Sequence, residues 1–322
     1  MKIAFLAKAR PDLAALIPKG LAHVILQAGP GGVWDDAARD AVADVDAFVV
    51  SMEPVNAQIL AAAPRLKIVQ RLGVGYETLD LAALAERGIP ACNIEGVNKE
   101  AVAEHGLTLI LALAKQLLEA DRSTRSGRWL DARLLTQRTW ELKGKTLGIF
   151  GLGNTGSELA KRARAFGMSV VYNDIRAIDP TRVQRLGARY LEKDALLATA
   201  DIVSLNVDLN ETSRHLINAA ALKRMQPHAL LVCCARGGVL DERALRHALE
   251  AGWIAGAGID VFETEPILPD NPLLGAPNTV LTSHVAGVTD ETTRRIFDWA
   301  LDNVRTVLER GEKPRWVRNG VH

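Results

Sequence analysis

The segment Lys145–Asp174 reads KTLGIFGLGNTGSELAKRARAFGMSVVYND, and it decides the fold of this chain. Thr146–Phe150 is a short apolar run of strand formers, and three glycines follow it in G-x-G-x-x-G spacing. Ser157–Phe166 carries apolar residues at helical spacing, and Met168–Tyr172 again has the pattern of a buried strand. The order strand, tight turn, helix and strand predicts a doubly wound α/β fold.

Each of the three glycines has a physical role in such a turn. Gly151 lets the chain leave the strand sharply, Gly153 lets the backbone approach a pyrophosphate, and Gly156 permits close packing of helix on strand. The N–H groups at the helix N-terminus then bind the phosphates. Asp174 lies eighteen residues after Gly156, close to the separation at which a carboxylate meets the adenosine ribose. The sequence therefore predicts NAD in preference to NADP. The cationic Arg176 nearby is the one residue that argues against this preference.

The composition limits the class of protein. The 322 residues suit two domains of ordinary size, and 48% of them are hydrophobic, as in globular proteins. A net charge of +1 gives no electrostatic argument for nucleic acid or an anionic membrane as partner. The first apolar run is too short for a signal sequence, no apolar stretch reaches membrane-spanning length, and the cysteine spacing indicates no metal. We therefore expect a cytoplasmic protein without a metal site.

Two regions of β/α alternation are legible along the chain. The expected strands before residue 97 are Lys2–Leu6, Ala47–Val50 and Lys67–Arg71, and those after Asp174 are Asp201–Val207, Ala229–Cys234, Gly256–Val261 and Val280–Thr282. The third strand ends in a Gly73-Val74-Gly75 turn, whose N–H groups could hold an anion. A plain connection is the simpler interpretation of that turn on its own. A long amphipathic helix, Asp290–Arg310, is expected to pack back on the first domain.

One helix between these regions is unusually apolar. It is expected to begin after Asn98 and to run from Ala101 to about Glu119, and between Leu107 and Ala114 it is apolar around most of its circumference. Burying one face would leave Leu or Ile in water, so we expect it to pack against a second subunit as well as its own domain. A fully enclosed core helix is the alternative.

Polar residues that follow apolar strands are the candidates for chemistry, because ligands of open α/β sheets bind at the carboxyl ends of strands. Three motifs fit: A-R-G-G-V-L-D-E with Arg236, G-I-D-V-F-E-T-E-P with Asp260 and Glu265, and L-T-S-H-V-A-G with His284. Oxidation of a hydroxy acid needs a group that takes the hydroxyl proton and a cation that holds the carboxylate. His284 with Glu265 supplies the first, and Arg236 supplies the second. The six other histidines have no matching acidic motif.

These motifs, in this order, resemble the D-isomer-specific 2-hydroxyacid dehydrogenases over nearly the whole chain. The resemblance runs from LKIVQRLGVGYETLD through GVNKEAVAEH, GKTLGIFGLGNTG and ARGGVLDE to DVFETEP and HVAG. It implies two doubly wound, Rossmann-like domains: a discontinuous substrate domain of residues 1–97 plus 290–322, and an NAD-binding domain of residues 98–289. It also implies a homodimer formed through the helix after Asn98.

The resemblance implies roles for individual residues as well. The catalytic set would be Arg236, Glu265 and His284. The substrate contacts would be Met52, Val74, Gly75, Arg236 and His284. The cofactor contacts would be Gly151, Leu152, Gly153, Asn154, Thr155, Gly156, Asp174, Ile175, Ala235, Asp260 and Gly287.

Two departures from the family pattern concern the substrate side. Cys233 stands where many members have Asn, which could alter packing under the nicotinamide. Phosphoglycerate enzymes commonly have an arginine in the loop that here reads Val50-Ser51-Met52-Glu53. A phosphate there would meet a carboxylate and no cation, which is costly in a partly desolvated site. The sequence therefore argues against phosphoglycerate as substrate.

Two functions of different class are consistent with the residues. The first is an NAD-dependent oxidoreductase that interconverts a small D-2-hydroxy acid and its 2-oxo acid by hydride transfer. The alternative is an NAD(H)-sensing binding protein, because the C-terminal-binding-protein corepressors look similar to this family and keep its catalytic residues. Consumption of NADH with a panel of 2-oxo acids separates the two.

Overall fold

The computed structural model describes residues 1–8, 11–134 and 139–321. The chain divides into two compact units: a terminal unit of Met1–Val97 with Thr289–His322, and a central unit of Asn98–Val288. Within the described ranges, each unit contains one sheet of parallel strands, five in the terminal unit and seven in the central unit. The predicted α/β class with two parallel sheets is therefore confirmed.

The elements alternate along most of the chain. The strands are β1 Lys2–Leu6, β2 Ala22–Leu26, β3 Ala47–Val50, β4 Ile68–Arg71, β5 Ala91–Cys92, β6 Thr146–Phe150, β7 Ser169–Asn173, β8 Ala188–Tyr190, β9 Ile202–Leu205, β10 Leu230–Cys233, β11 Gly256–Ile259 and β12 Thr279–Leu281. The α-helices are α1 Pro11–Leu16, α2 Asp36–Ala41, α3 Ala57–Ala61, α4 Leu81–Glu86, α5 Lys99–Ala114, α6 Leu117–Arg125, α7 Trp129–Leu134, α8 Asn154–Ala165, α9 Pro180–Leu186, α10 Lys193–Thr199, α11 Ala219–Leu222, α12 Glu242–Glu250 and α13 Asp290–Leu308.

The terminal sheet has the strand order β2-β1-β3-β4-β5. Successive residues of a strand point to opposite faces, so both faces of β1 carry apolar side chains. Ile3 and Phe5 pack against α13, where the rings of Phe5 and Phe297 stack with centroids 6.2 Å apart. Leu6 packs on the other face, in a core that contains Trp34. Both faces are thus covered, as a parallel sheet requires.

The central sheet has the strand order β12-β11-β10-β9-β6-β7-β8. The chain proceeds from β6 toward β7 and β8 on one side, and returns to β9 on the other. The strand order therefore reverses beside β6, and the glycine-rich turn that follows β6 opens at this switch point. Crevices at such points are where open α/β sheets bind their ligands.

Helix α5 closes one face of this sheet. Leu109 packs so closely on β11 that a Cβ at Gly258 would lie 2.8 Å from the Leu109 Cβ. Most of the segment from Leu107 to Ala114 is buried within the central unit, so the expected surplus of apolar surface on this helix is wrong. The next two helices instead carry five large apolar side chains that are half or more exposed, and they are Leu117, Leu118, Trp129, Leu130 and Leu134.

The single helix expected up to Glu119 is also wrong at its end. Gln116 has a φ of 50°, and the helix axis bends by 60° between α5 and α6. The apolar pattern continues across this point, but a left-handed residue ends an α-helix. Asn98 is the residue before α5, yet its side chain makes no capping hydrogen bond. Residues 135–138, which belong to the arginine-rich segment after α6, lie outside the described residues.

Among the described residues, no single helix is long and apolar enough to cross a membrane, although the bent pair α5 and α6 together has the required length and composition.

Candidate active site

The polar candidates of the central unit follow three neighbouring strands. β10, β11 and β12 pair in parallel, and their last residues are aligned in the register. The three strands therefore end at the same edge of the sheet. Arg236 and His284 each come three residues after the end of their strand, and Asp260 follows β11 directly. The sheet thus brings the three sequence motifs to one edge.

His284 and Glu265 form a direct pair at this edge. The imidazole Nδ1 lies 2.6 Å from Glu265 Oε2, and the other carboxylate oxygen accepts the N–H of Phe262 at 3.0 Å. A carboxylate beside Nδ1 favours the tautomer with hydrogen on Nδ1 and directs Nε2 away from the pair. The side chains are 45% and 34% exposed, so a small molecule can approach the imidazole.

The backbone of His284 is held in an uncommon conformation by Asp260. His284 has a φ of 54°, and its N–H donates to the Asp260 carbonyl at 2.7 Å. The fully buried Asp260 carboxylate accepts the hydroxyl of Thr282 at 2.6 Å and the N–H groups of Val285 and Ala286, each at 3.0 Å. A buried carboxylate is tolerated when such donors surround it. Asp260 therefore fixes the segment that carries His284.

His105 completes this network, and sequence reasoning missed it. Its Nε2 lies 3.0 Å from the Thr282 hydroxyl and 3.6 Å from the Asp260 carboxylate. The hydroxyl already gives its hydrogen to Asp260, so it accepts from His105, whose Nε2 must carry hydrogen. The signal was present in the sequence, since His105 ends the GVNKEAVAEH motif. Its acidic partner could not be found because it lies on a strand far along the chain.

Two other histidines also have acidic partners that the sequence did not reveal. His215 Nε2 lies 3.1 Å from Glu263 Oε1, and His228 Nε2 lies 2.7 Å from Asp201 Oδ1. The statement that these histidines lack a matching acid is therefore wrong. The ring of each histidine is partly exposed to solvent, so neither pair contributes much to stability. His322 lies outside the described residues.

The loop with Arg236 is held by hydrogen bonds of its own and packs closely on the loop with Glu265. The Arg236 guanidinium donates to the carbonyl of Ala235 at 2.8 Å, and the Cys233 thiol donates to the carbonyl of Arg236 at 3.8 Å. Burial raises the pKa of Cys233 to about 11, so the thiol keeps its hydrogen at neutral pH. A Cβ at Gly237 would collide with the Phe262 carbonyl. The Asn that many family members have in place of Cys233 is thus replaced by a weaker donor.

The glycine-rich turn has the shape of a phosphate site. Gly151 has a φ of 88°, and a side chain there would collide with the Asn206 carbonyl. A Cβ at Gly156 would collide with the Gly151 carbonyl, so the turn and α8 touch along their backbones. Gly153 precedes α8 and has no side chain that could cap the helix. The N–H groups of Asn154 and Thr155, the first two of α8, can therefore donate to an anion. The residues present therefore fit a pyrophosphate.

Asp174 lies at the end of β7, beside this turn. One oxygen of its carboxylate accepts the N–H of Leu152 at 2.9 Å, and the other accepts the N–H of Arg176 at 2.9 Å and its Nε at 3.3 Å. The Asp174 side chain is only 3% exposed. Ile175, by contrast, is strongly exposed. The contact of Asp174 with an adenosine ribose stays a prediction, because both carboxylate oxygens already accept hydrogen bonds within the chain.

The remaining predicted cofactor contacts are small or buried. Gly287 follows Ala286 in the segment fixed by Asp260, and a Cβ there would lie 2.6 Å from the Asn98 side-chain nitrogen. The Leu152 side chain is fully buried, so only its backbone can face a ligand. The cofactor contacts of Leu152, Ala235, Asp260 and Gly287 stay predictions.

The predicted substrate residues of the terminal unit follow β3 and β4. Met52 is strongly exposed, and its sulfur accepts from Arg71 at 3.1 Å. Gly73 has a φ of 138°, and its carbonyl accepts the N–H of Ile94 at 2.9 Å. The Val74 carbonyl accepts the side-chain N–H of Asn93, the residue directly after β5, at 2.7 Å. Their contact with substrate stays a prediction.

Residues 107–286 match the sequence model of the D-isomer specific 2-hydroxyacid dehydrogenase family, described as its NAD binding domain. The chain belongs to this family. It is 41% identical over 292 residues to a glyoxylate reductase of Korarchaeum cryptofilum, covering 88% of this chain and 87% of that protein. It is 39% identical over 247 residues to a D-3-phosphoglycerate dehydrogenase of Archaeoglobus fulgidus, covering 76% of this chain and 46% of that longer protein.

Solved structures of this family have the same fold. The crystal structure of an NADPH-dependent glyoxylate/hydroxypyruvate reductase from Sinorhizobium meliloti superimposes with a TM-score of 0.83 at 30% identity, covering 99% of this chain and 97% of that one. The D-2-hydroxyacid dehydrogenase resemblance read from the sequence is therefore confirmed, and with it the NAD cofactor and an enzyme that acts on 2-hydroxy or 2-oxo acids. Among the described residues, no cluster of His, Cys, Asp or Glu could hold a metal ion.

Proposed function

We propose that this chain reduces a small 2-oxo acid to its D-2-hydroxy acid, and catalyses the reverse oxidation, with His284, Glu265 and Arg236 as the catalytic set. The observation that carries the proposal is the distance of 2.6 Å between His284 Nδ1 and Glu265 Oε2, at the strand edge that also carries Arg236. An acid-base histidine, a carboxylate partner and an arginine are the groups that this reaction needs. NAD(H), when bound, supplies or accepts the hydride.

The proton moves through His284. In reduction, Nε2–H gives its proton to the ketone oxygen, and the ring becomes neutral. In oxidation, the neutral Nε2 takes the hydroxyl proton, and the Glu265 carboxylate stabilises the imidazolium that forms. The planar guanidinium of Arg236 binds the substrate carboxylate and stabilises negative charge on the reacting oxygen.

The cofactor would be held by the glycine-rich turn and Asp174. The N–H groups at the start of α8 would bind the pyrophosphate, and Asp174 would accept hydrogen bonds from the ribose hydroxyls. We propose a preference for NAD over NADP, because a 2′-phosphate would meet the Asp174 carboxylate. Arg176 opposes that preference, since it pairs with Asp174 and could bind a phosphate.

The substrate would be small and would carry no phosphate. Met52 is the exposed residue of the loop after β3, and the neighbouring Glu53 carboxylate accepts the N–H of Ala28 at 3.0 Å. An apolar and an acidic side chain in this loop disfavour 3-phosphohydroxypyruvate, and the cation that contacts Met52, Arg71, is buried and donates to the carbonyls of Val50 and Leu72. The similarity to a glyoxylate reductase and to the structure of a glyoxylate/hydroxypyruvate reductase supports glyoxylate or hydroxypyruvate as substrate.

The test is a panel of 2-oxo acids with both cofactors. Glyoxylate, hydroxypyruvate, pyruvate and 3-phosphohydroxypyruvate are supplied at millimolar concentration, and NADH or NADPH oxidation is followed by absorbance. Turnover of glyoxylate or hydroxypyruvate with NADH, and little turnover of the phosphorylated acid, is expected. Tight NADH binding without turnover of any acid would favour the NAD(H)-sensing alternative and contradict the proposal.

We also propose a homodimer, formed through α6 and α7. Five large apolar side chains that are half or more exposed lie on these two short helices, including Trp129 and Leu130. Leu130→Glu should shift the mass measured by light scattering toward the monomer. Val33→Glu is the matched control, since Val33 is a similarly exposed apolar residue of the terminal unit. A monomeric wild type, or an unchanged mass for Leu130→Glu, would contradict this interface.

A further inference from the structure

The C-terminal segment Trp316–Asn319 pairs with the edge of the terminal sheet. Val317 forms an antiparallel bridge with β5, and the N–H of Arg318 donates to the same strand at 2.8 Å. The N–H of Asn93, directly after β5, donates to the Trp316 carbonyl at 3.2 Å. The segment is thus fixed beside Asn93 by its backbone.

The Arg318 side chain determines how the Asn93 amide is oriented. Arg318 Nε donates to Asn93 Oδ1 at 2.8 Å, and the guanidinium also pairs with Glu95. The Asn93 amide nitrogen donates to the Val74 carbonyl at 2.7 Å. A guanidinium has only donors and a carbonyl only accepts, so the amide fits in one orientation, with its oxygen toward Arg318. Asn93 is 1% exposed, so water does not compete for these bonds.

These contacts fix two peptide groups of the Gly73–Gly75 turn. The Gly73 carbonyl accepts the N–H of Ile94, and the Val74 carbonyl accepts the Asn93 amide. In a trans peptide the C=O of one residue and the N–H of the next point in opposite directions. The N–H groups of Val74 and Gly75 therefore point away from Asn93, side by side. Adjacent N–H groups that point the same way form a site for an anion.

We infer that Arg318 is a positioning residue for substrate: through Asn93 it aims the N–H groups of Val74 and Gly75 at the substrate carboxylate. The inference rests on the proposed function, and it adds that these two N–H groups, which belong to residues that the family resemblance assigns to substrate, share the carboxylate with Arg236. Arg318 acts through Asn93, because its guanidinium is engaged with Asn93 and Glu95 and lies 5.5 Å from the Tyr76 ring centre. Loss of Arg318 frees the amide to rotate and leaves the Val74 carbonyl without a fixed donor.

The test compares Arg318→Met with Arg315→Met. Arg315 lies in the same stretch, where it pairs with Asp302 at 2.6 Å and covers the Trp316 ring. Arg315→Met therefore removes the same charge as Arg318→Met, but from a side chain with other partners than Asn93. Arg318→Met should raise the KM for glyoxylate about tenfold, as expected for misaligned hydrogen bonds to a charged group, and change kcat less than about twofold. NADH affinity should not change. Arg318→Lys keeps a donor group, so its KM for glyoxylate should lie between those of Arg318→Met and the wild type.

A second measurement does not depend on turnover. In the free enzyme, the amide ¹H–¹⁵N signals of Val74 and Gly75 should move in Arg318→Met and stay in place in Arg315→Met. If both signals and the KM are the same in the two variants, the inference is wrong. If the signals move and the KM does not, the turn does not bind the carboxylate and the inference is wrong as well. If the wild type turns over no 2-oxo acid, the proposed function fails while the amide signals still decide whether Arg318 orients the turn.

Discussion

The N–H of His284 donates to the carbonyl of Asp260 across 2.7 Å, and the Asp260 carboxylate binds the residues on both sides of His284. A left-handed backbone costs a histidine about 1–2 kcal/mol, so it persists only where neighbouring bonds impose it. Asp260 is therefore the residue that determines where the imidazole lies, and Glu265 the residue that orients the ring.

His105 should influence catalysis through Thr282 and Asp260. His105→Phe removes the donor to Thr282, and we expect kcat to fall about tenfold, because the segment that holds His284 loses one buried hydrogen bond. His105→Gln keeps a donor and should stay close to wild type. Steady-state kinetics and NADH titration check both variants. Full activity of His105→Phe would show that the network does not need His105.

His284 and Glu265 should differ in how strongly they affect kcat. His284→Ala removes the acid-base group, and we expect kcat to fall by about 10² to 10⁴ while the NADH Kd stays unchanged. Glu265→Gln keeps the shape but removes the charge that stabilises the imidazolium, so a smaller decrease is expected. His228→Ala, which breaks an exposed pair with Asp201, is the control. Near-wild-type kcat in His284→Ala would refute the assignment.

Asp174 and Arg176 should have opposite effects on cofactor choice. Asp174→Ala removes the acceptor for the ribose hydroxyls, and we expect the NADH Kd to rise about tenfold with little change for NADPH. Arg176→Ala removes the cation that pairs with Asp174, so NADPH binding should weaken and NADH binding should hold or improve. Fluorescence titration measures the four affinities of the two variants. Equal effects on both cofactors in Asp174→Ala would exclude the ribose contact.

Gly156 should tolerate no side chain. A Cβ there would collide with the Gly151 carbonyl, so Gly156→Ala must push α8 away from the turn and should abolish measurable NADH binding. Gly106→Ala is the control, because Gly106 also lies in a helix and a Cβ there would meet nothing within 4 Å. That control should keep NADH binding and gain up to about 1 kcal/mol of stability from helix propensity. Unimpaired binding by Gly156→Ala would mean that the turn does not hold the pyrophosphate.

The sequence predicted the buried parts of the fold better than its edges. β1, β3 and β6 were expected at their observed bounds, because nearly every residue in them is buried on one face of the sheet or the other and the strands read as continuous apolar runs. β2 and β8 lie at sheet edges and are partly exposed, so their apolar pattern is weak and they were missed. β5 was missed because it is only two residues long. The sequence pattern places the Gly73-Val74-Gly75 turn after the third strand, but in the structure it follows β4, the fourth.

The residues of the candidate site could be predicted from the sequence, but some of the contacts among them could not. The motifs with Arg236, Glu265 and His284 end parallel strands, and parallel strands that lie side by side bring their ends together. The partner of His105 was not predictable, since Asp260 lies more than a hundred residues away in the sequence and only the crossing of α5 over β11 brings them together. The bend at Gln116 was not predictable for another reason. Its left-handed φ ends the helix without changing the periodicity of the apolar residues, and that periodicity is the signal from which the helix was predicted.

The close packing of Leu109 on Gly258 has a consequence for anyone who wishes to express the nucleotide-binding half alone. Helix α5 precedes the first strand of the seven-stranded sheet, yet it supplies the side chains that cover β11. A fragment cut at Lys145 would leave that surface in water and should aggregate. A useful truncation must therefore start at or before Asn98, well upstream of the glycine-rich motif.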